Sequence, residues 1–422
     1  MNEAFLSFLW QFRLLSPELV TVTGESLNVL QPGEKNTDSG PDFLHARIRI
    51  GKTVWAGNVE IHVMSGDWLK HHHDRDPSYD TVILHVVYED NLPVREKRIK
   101  AIPTLVVRDR IPPSVIENYH SLSLNKQWIP CFNQIKKVPE TVFSFWSTAL
   151  ALERMSEKCL DIGRIYDQCG ADWEETTYRW LSSTFGFRIN TLGFEFLAKS
   201  LPVRTVMACS HHFSQVEALL FGQAGMLQGP VTGEYPLALK REYDFLAAKY
   251  NLIPMAAHHW KYLRLRPRGF PTLRISQWAA ILHKTKGSLF SLLEFDVIDD
   301  LIKVLNVTAS IYWNDHFTFE KGSVTGVKSL GERSIEVFIT SGIIPMMFFF
   351  ADQRGLPAIK EKALHCLEQL SPEDNSIIRK WREAGIGATD ALRSQALLRL
   401  KRSYCEQFRC LECRIGKTIL TQ

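Results

Sequence analysis

The chain has 422 residues, 45% hydrophobic and 23% charged, with a formal net charge of +4. That length allows two to three domains with ample core, and the composition excludes a disordered or low-complexity chain. The charge is too small to argue for a nucleic-acid partner by itself. Glu3 and the polar residues after Leu15 break the charged-then-apolar pattern of a secretory leader. The longest apolar run, residues 343–351, is short for a bilayer, so a cytoplasmic protein with no membrane partner is expected.

Residues 3–15 predict a helix, because Phe5, Phe8, Leu9, Phe12 and Leu15 recur near a 3.6 period. Residues 26–30, 43–50 and 53–63 predict strands, the last two joined by a Gly51-Lys52 turn. In a strand, positions i and i+2 share a face. Glu60 and His62 therefore project together, while Val59, Ile61 and Val63 fill the other side. If strand pairing brings Asp42 alongside, after the Ser39-Gly40-Pro41 turn, two hard oxygens and an imidazole converge. That donor set suits Mg²⁺ or Mn²⁺. The alternative is an edge hairpin carrying solvated polar residues. Residues 81–88 predict a further, buried strand.

Pro41-Asp42, a gap of seventeen residues, then Glu60-Ile61-His62 resembles the PD-(D/E)XK nuclease signature over about the first hundred residues, with His62 where that superfamily usually has Lys. The resemblance implies a helix, a three-stranded meander, a second helix and a further strand. It also implies phosphodiester hydrolysis by metal-activated water, with Asp42 and Glu60 as metal ligands and His62 as base or Lys surrogate. Imidazole in place of ammonium weakens the Mg²⁺ case and raises that of Mn²⁺ or Zn²⁺. It also leaves open a fold that binds without cleaving. A third carboxylate is expected from Glu25 or Glu34. The whole chain is similar to an uncharacterised bacterial family of unknown function. Ser39 to Phe43, Asn58 to Val63, Leu84 to Val87, Leu219 to Gly225 and Arg264 to Pro267 carry that likeness.

The run His71-His72-His73 sits among Trp68, Asp67, Asp74 and Asp76. Neighbours i and i+1 do not face one way, so His71 and His73 are the natural pair, unless the run is a solvated loop. His85, in an apolar strand, reads as a core histidine or a ligand.

A Pro-punctuated link is expected over residues 111–139, and helices prevail beyond it. Residues 140–164 form one candidate, with Phe143, Phe145, Ala149, Leu152, Met155 and Leu160 as its apolar side. Further helices are expected at 173–183, 194–199, 216–224, 242–249 and 275–282. The stretch from Trp260 to Arg274 interleaves basic and aromatic side chains, as a phosphate-tracking surface does. Lys261, Arg264 and Arg266 are its candidate substrate contacts, or the arginines clamp Glu217 or Glu242.

Cys405, Cys410 and Cys413 follow a C-x4-C-x2-C spacing that suits a metal, with Cys366 as fourth ligand or His365 as second choice. This partly resembles the cysteine loop that ends helix-hairpin-helix DNA glycosylases, which implies Zn²⁺ or an iron–sulfur cluster. The alternative is three reduced thiols near one another by chance. Arg393, Arg399, Lys401, Arg402, Arg409, Arg414 and Lys417 make the same tail a possible nucleic-acid grip or a solvated face.

The expected fold class is α+β. A PD-(D/E)XK-like α/β nuclease core (1–115) precedes a mostly helical domain (116–345) and a helical C-terminal region with a cysteine metal knuckle (346–422). The expected function is metal-dependent hydrolysis of nucleic acid, DNA favoured over RNA. A non-catalytic nucleic-acid-binding or assembly protein on the same fold is the alternative, and hydrolysis of a small phosphorylated molecule a third reading.

Overall fold

The computed structural model describes residues 1–91 and 102–422. Its contacts divide the chain into two compact units. One comprises Met1–Trp146, Ala384–Ile386 and Leu400–Gln422; the other comprises Ser147–Glu383 and Gly387–Arg399. Residues 384–386 and 400–422, from the C-terminal segment, thus belong to the first unit.

The first unit opens with helix α1 (Glu3–Gln11). Asn2 caps it by accepting the Phe5 amide at 2.9 Å, and Glu3 sits favourably at the positive end of the helix dipole. Phe5, Leu6, Phe8, Leu9 and Trp10 are buried, each large apolar side chain stabilising by roughly 1.5–3 kcal/mol. The helix stops before Leu15 because Arg13 adopts a left-handed φ of 53°.

Seven strands among the described residues form one sheet: β1 (Leu19–Val20), β2 (Ser26–Gln31), β3 (Glu34–Lys35), β4 (Phe43–Ile50), β5 (Thr53–Met64), β6 (Val82–Glu89) and β7 (Thr104–Val106). Their order is β1-β2-β4-β5-β6-β7, with β3 beside β4. The β4–β5 hairpin turns at Gly51-Lys52 as expected. β5 runs parallel to β6, and β6 parallel to β7. This makes β5 a central strand, and α1 packs against it. The link from β5 to β6 holds one helical turn, α2 (Asp67–Lys70), and a 3-10 turn, Pro77–Tyr79.

Residues 111–139 are more than a link. They carry α3 (Pro113–Ser123) and a 3-10 turn, Ile135–Lys137, and they bury Ile129 and Ile135 completely. Helix α4 (Glu140–Gln168) then runs from the first unit into the second. Its buried side is Phe143, Trp146, Leu150, Ala151, Met155 and Ile162, whereas Phe145, Leu152 and Leu160 are exposed.

The second unit is helical. Trp173–Phe185, Thr191–Ser200, Phe213–Gln223, Glu234–Tyr250 and Pro271–Lys284 contain or overlap the expected segments. Gly222 permits a close crossing, since a Cβ there would lie 2.0 Å from the Tyr243 ring. The apolar run 343–351 is part of a longer helical stretch, Glu332–Arg354, which by length and composition could cross a membrane; 72% of its most apolar window is buried inside the structure.

Candidate metal centre

The loop before β4 is built to aim Asp42. The Asn36 side-chain amide donates to the carbonyls of Ser39 and Pro41 at 3.2 and 3.0 Å, and the Asn36 backbone amide donates to the Asp42 carbonyl. Just beyond, the β4–β5 register shifts between Phe43 and Ala46, and His45 takes a left-handed φ of 57° in the bulge. The two acids are then locked reciprocally. The Asp42 amide donates to Glu60 Oε2 at 3.0 Å, and the Ile61 amide donates to Asp42 Oδ2 at 3.0 Å.

Both faces of β5 are covered here, so Glu60 and His62 are as buried as Val59 and Ile61. Burial foremost, against the Ile61 hydrogen bond, raises Asp42 to about 6. Burial and then the Asp42 charge raise Glu60 to about 8. The charge of Glu3, in the first turn of α1, bears on both carboxyls in the same direction. Glu25 instead accepts from Thr23, and Glu34 lies on exposed β3. Two neighbouring carboxyls raised mainly by burial are the electrostatic setting a divalent ion relieves.

The histidines gather on the other side of Glu60. Glu60 Oε1 lies 3.5 Å from His62 Nε2 and 3.3 Å from His73 Nε2. One ring nitrogen from each of His62, His71 and His73 falls within 4.8 Å of the others, a spacing one metal ion can bridge. His72, with a left-handed φ of 61°, is not part of this group. The parallel register sets His85 opposite Glu60, and its Nε2 meets His62 Nδ1 at 2.8 Å. If His62 Nδ1–H donates in that contact, its Nε2 lone pair faces Glu60, His71 and His73. Metal-ligating imidazoles are commonly oriented in this way. Trp68 and Tyr79 wall the cluster, with Tyr79 stacked 3.8 Å from the His73 ring.

Burial first, and neighbouring imidazoles second, push His62 down to about 2 and His85 to about 3. A neutral His62 does not supply the positive charge of a Lys surrogate. Neutral, it offers a nitrogen lone pair. The mixed nitrogen and oxygen donors fit Mn²⁺ or Zn²⁺ better than Mg²⁺. Sequence reasoning missed the His62–His85 contact, which depends on a tertiary neighbour.

The remaining candidates lie elsewhere. Lys261, Arg264 and Arg266 belong to the second unit and are exposed. Their segment is not extended: Arg264 has a φ of 65°, and Pro267–Gly269 is a 3-10 turn. Asn190 clamps the Lys261 backbone by two hydrogen bonds of 2.8 and 3.0 Å. The suggested clamp partners are engaged, Glu217 by Ser276 and Tyr235, and Glu242 by Gln215. Cys366 packs in the core of the second unit, whereas Cys405, Cys410 and Cys413 belong to the first. Several cations of the basic tail pair with acids: Lys401 with Glu406, Arg409 with Glu412, and Arg399 with Glu153 and Glu157.

A mixed α+β chain with carboxylates and histidines converging on a central strand defines a protein with a candidate metal centre. The chain belongs to the family described as "Protein of unknown function (DUF2851)", which matches residues 3–376. No curated protein and no solved structure matches it.

Proposed function

We propose that this protein is a metal-dependent hydrolase of nucleic-acid phosphodiesters, DNA favoured over RNA, with a PD-(D/E)XK-like core in its first unit. The observation that carries this reading is the reciprocal Asp42–Glu60 lock, which sets a half-buried and a buried carboxylate beside three clustered imidazoles. Asp42 and Glu60 are the acidic ligands, Glu3 adds outer charge, and His62, His71 and His73 complete the donor set. A divalent ion held there lowers the pKa of bound water and offsets charge developing on a phosphate. Lys261, Arg264 and Arg266 are the proposed phosphate contacts; their exposure leaves them available to a polyanion. The order α1, β4–β5 hairpin, then a parallel β6 supports the core assignment.

One observation favours the non-catalytic alternative. With His62 neutral, the position usually filled by Lys carries no positive charge. The test is cleavage of labelled single- and double-stranded DNA and RNA with Mn²⁺, Zn²⁺ or Mg²⁺, comparing wild type with Asp42→Asn and Glu60→Gln. Metal-dependent cutting lost in both variants supports the hydrolase. Nucleic-acid binding without cutting, unchanged in both variants, supports the alternative.

A further inference from the structure

We propose that Cys131, Cys405, Cys410 and Cys413 together hold a second, thiolate-bound metal centre in the first unit, independent of the histidine site. The charges of Cys410 and Cys413 bear on Cys131, and those of Cys131, Cys410 and Cys413 bear on Cys405. All four are free thiols; three are buried and Cys410 is half-buried.

The backbone brings them together by separate devices. Cys405 closes the π-helical turn Leu400–Cys405, and its carbonyl accepts the amide of Phe408, which has a left-handed φ of 52°. The chain reverses there and presents Cys410. Cys413 is the N-cap of helix Arg414–Leu420, and its carbonyl accepts the amide of Lys417 at 2.8 Å. Gly416 lets this helix approach the Cys410 turn, since a Cβ would lie 2.1 Å from the Cys410 carbonyl oxygen.

Cys131 arrives from far upstream in the chain. Its carbonyl accepts the amides of Gln134 and Ile135 at 2.9 and 2.8 Å, which shapes a tight turn. The Gln134 side chain donates to Asn118 Oδ1 at 3.0 Å, and Asn118 Nδ2 donates to the Ile419 carbonyl at 2.9 Å. This relay fastens the Cys131 turn to the helix that Cys413 begins. Four neighbouring thiols would supply the donor set for one Zn²⁺ or for an iron–sulfur cluster, and the shared chemistry is a thiophilic metal bound by four thiolates. Hard cations such as Mg²⁺ do not take such a site.

The test is metal and acid-labile sulfide analysis of the full chain, produced with iron and with zinc supplied. Wild type is compared with Cys131→Ser, Cys413→Ser, Cys366→Ser and a His71→Ala/His73→Ala double variant. Zinc alone identifies a mononuclear site; iron with sulfide and visible charge-transfer absorption identifies a cluster. The expected result is loss of that metal in Cys131→Ser and Cys413→Ser, with retention in Cys366→Ser and in the histidine variant. A wild type that takes up neither metal overturns the proposal, as does one whose metal survives Cys131→Ser or leaves with the histidines. Should the serine variants not fold, titration of the wild type with a mercurial replaces them. Metal release in step with four thiols supports the site, and metal that stays after all thiols react overturns it. Because the histidine variant is scored separately, failure here leaves the hydrolase reading standing, and the converse holds.

Discussion

The backbone amide of Asp42 donates to Glu60 Oε2 over 3.0 Å, while the carboxylate of Asp42 accepts the amide of Ile61, next to Glu60. The two acids are thus fixed by the hairpin itself. Without a cation, this arrangement costs stability at neutral pH, because Glu60, raised to about 8, must take up a proton on folding. Glu60→Gln keeps an acceptor for the Asp42 amide and is neutral without that proton. In chelator at neutral pH, its melting temperature is therefore expected to equal or exceed that of wild type. With Mn²⁺ added, wild type rises and the variant does not. A variant less stable than wild type in chelator would show that Glu60 stabilises through something other than metal.

Within the histidine run, His71 and His73 contribute to the cluster and His72 does not. Replacing either His71 or His73 with Ala should weaken Mn²⁺ or Zn²⁺ binding at least ~10-fold, a conservative figure given that even outer-shell changes cost 10–100-fold. His72→Ala should match wild type within error. Isothermal titration with each metal, in the background of Cys131→Ser, separates these affinities from the cysteine site. Equal affinities for all three variants would remove the histidines from the centre.

How much of this was legible in the sequence follows from the range of the signals. Alternation and the Gly51-Lys52 turn define the β4–β5 hairpin, and the two-residue period puts Glu60 and His62 on one side. Those are local rules, and they were enough for Asp42, Glu60 and His62. The charge of Glu3 bears on the two acids because α1 packs on β5, and His85 meets His62 because β6 pairs in parallel with Glu60 opposite it. Neither relation has a sequence period. Cys366 is nearer in sequence to the C-terminal trio than Cys131, yet Cys131 shares the trio's compact unit and Cys366 does not. In α4, apolar residues occur around much of the helix, so periodicity chose Phe145 and Leu160 where the core takes Trp146 and Ile162.

Glu217 offers a test of the second unit alone. It is 2% exposed, hydrogen-bonded by Tyr235 at 2.9 Å and by Ser276, and burial outweighs those bonds to raise it to about 6 from an ordinary 4.5. A raised folded-state pKa means that the folded protein binds the proton more tightly. The stabilisation is complete below about pH 4.5 and lost as pH rises through about 6. The difference corresponds to about 2 kcal/mol. Glu217→Gln cannot titrate, so urea unfolding at pH 4.5 and pH 7 should show the variant gaining about that much relative to wild type across the interval. A constant difference at the two pH values would place the Glu217 titration outside this window.

Gly222 tests the helix crossing between Phe213–Gln223 and Glu234–Tyr250. An added Cβ would meet the Tyr243 ring at 2.0 Å, while Tyr243 Oη donates to Gln223 Oε1 at 3.0 Å. Moving the ring to admit a methyl group therefore also disturbs a buried hydrogen bond. Gly222→Ala should destabilise by roughly 1–3 kcal/mol from overpacking, despite the better helix propensity of Ala, which favours it by only about 1 kcal/mol. Gly222→Ala combined with Tyr243→Phe distinguishes the two costs. Phe keeps the ring and drops the hydroxyl, so the clash persists while the hydrogen bond is already gone. A double variant close to the sum of the single losses would assign the Gly222→Ala cost to the ring contact. A double variant no worse than Tyr243→Phe would assign it to the lost Gln223 hydrogen bond.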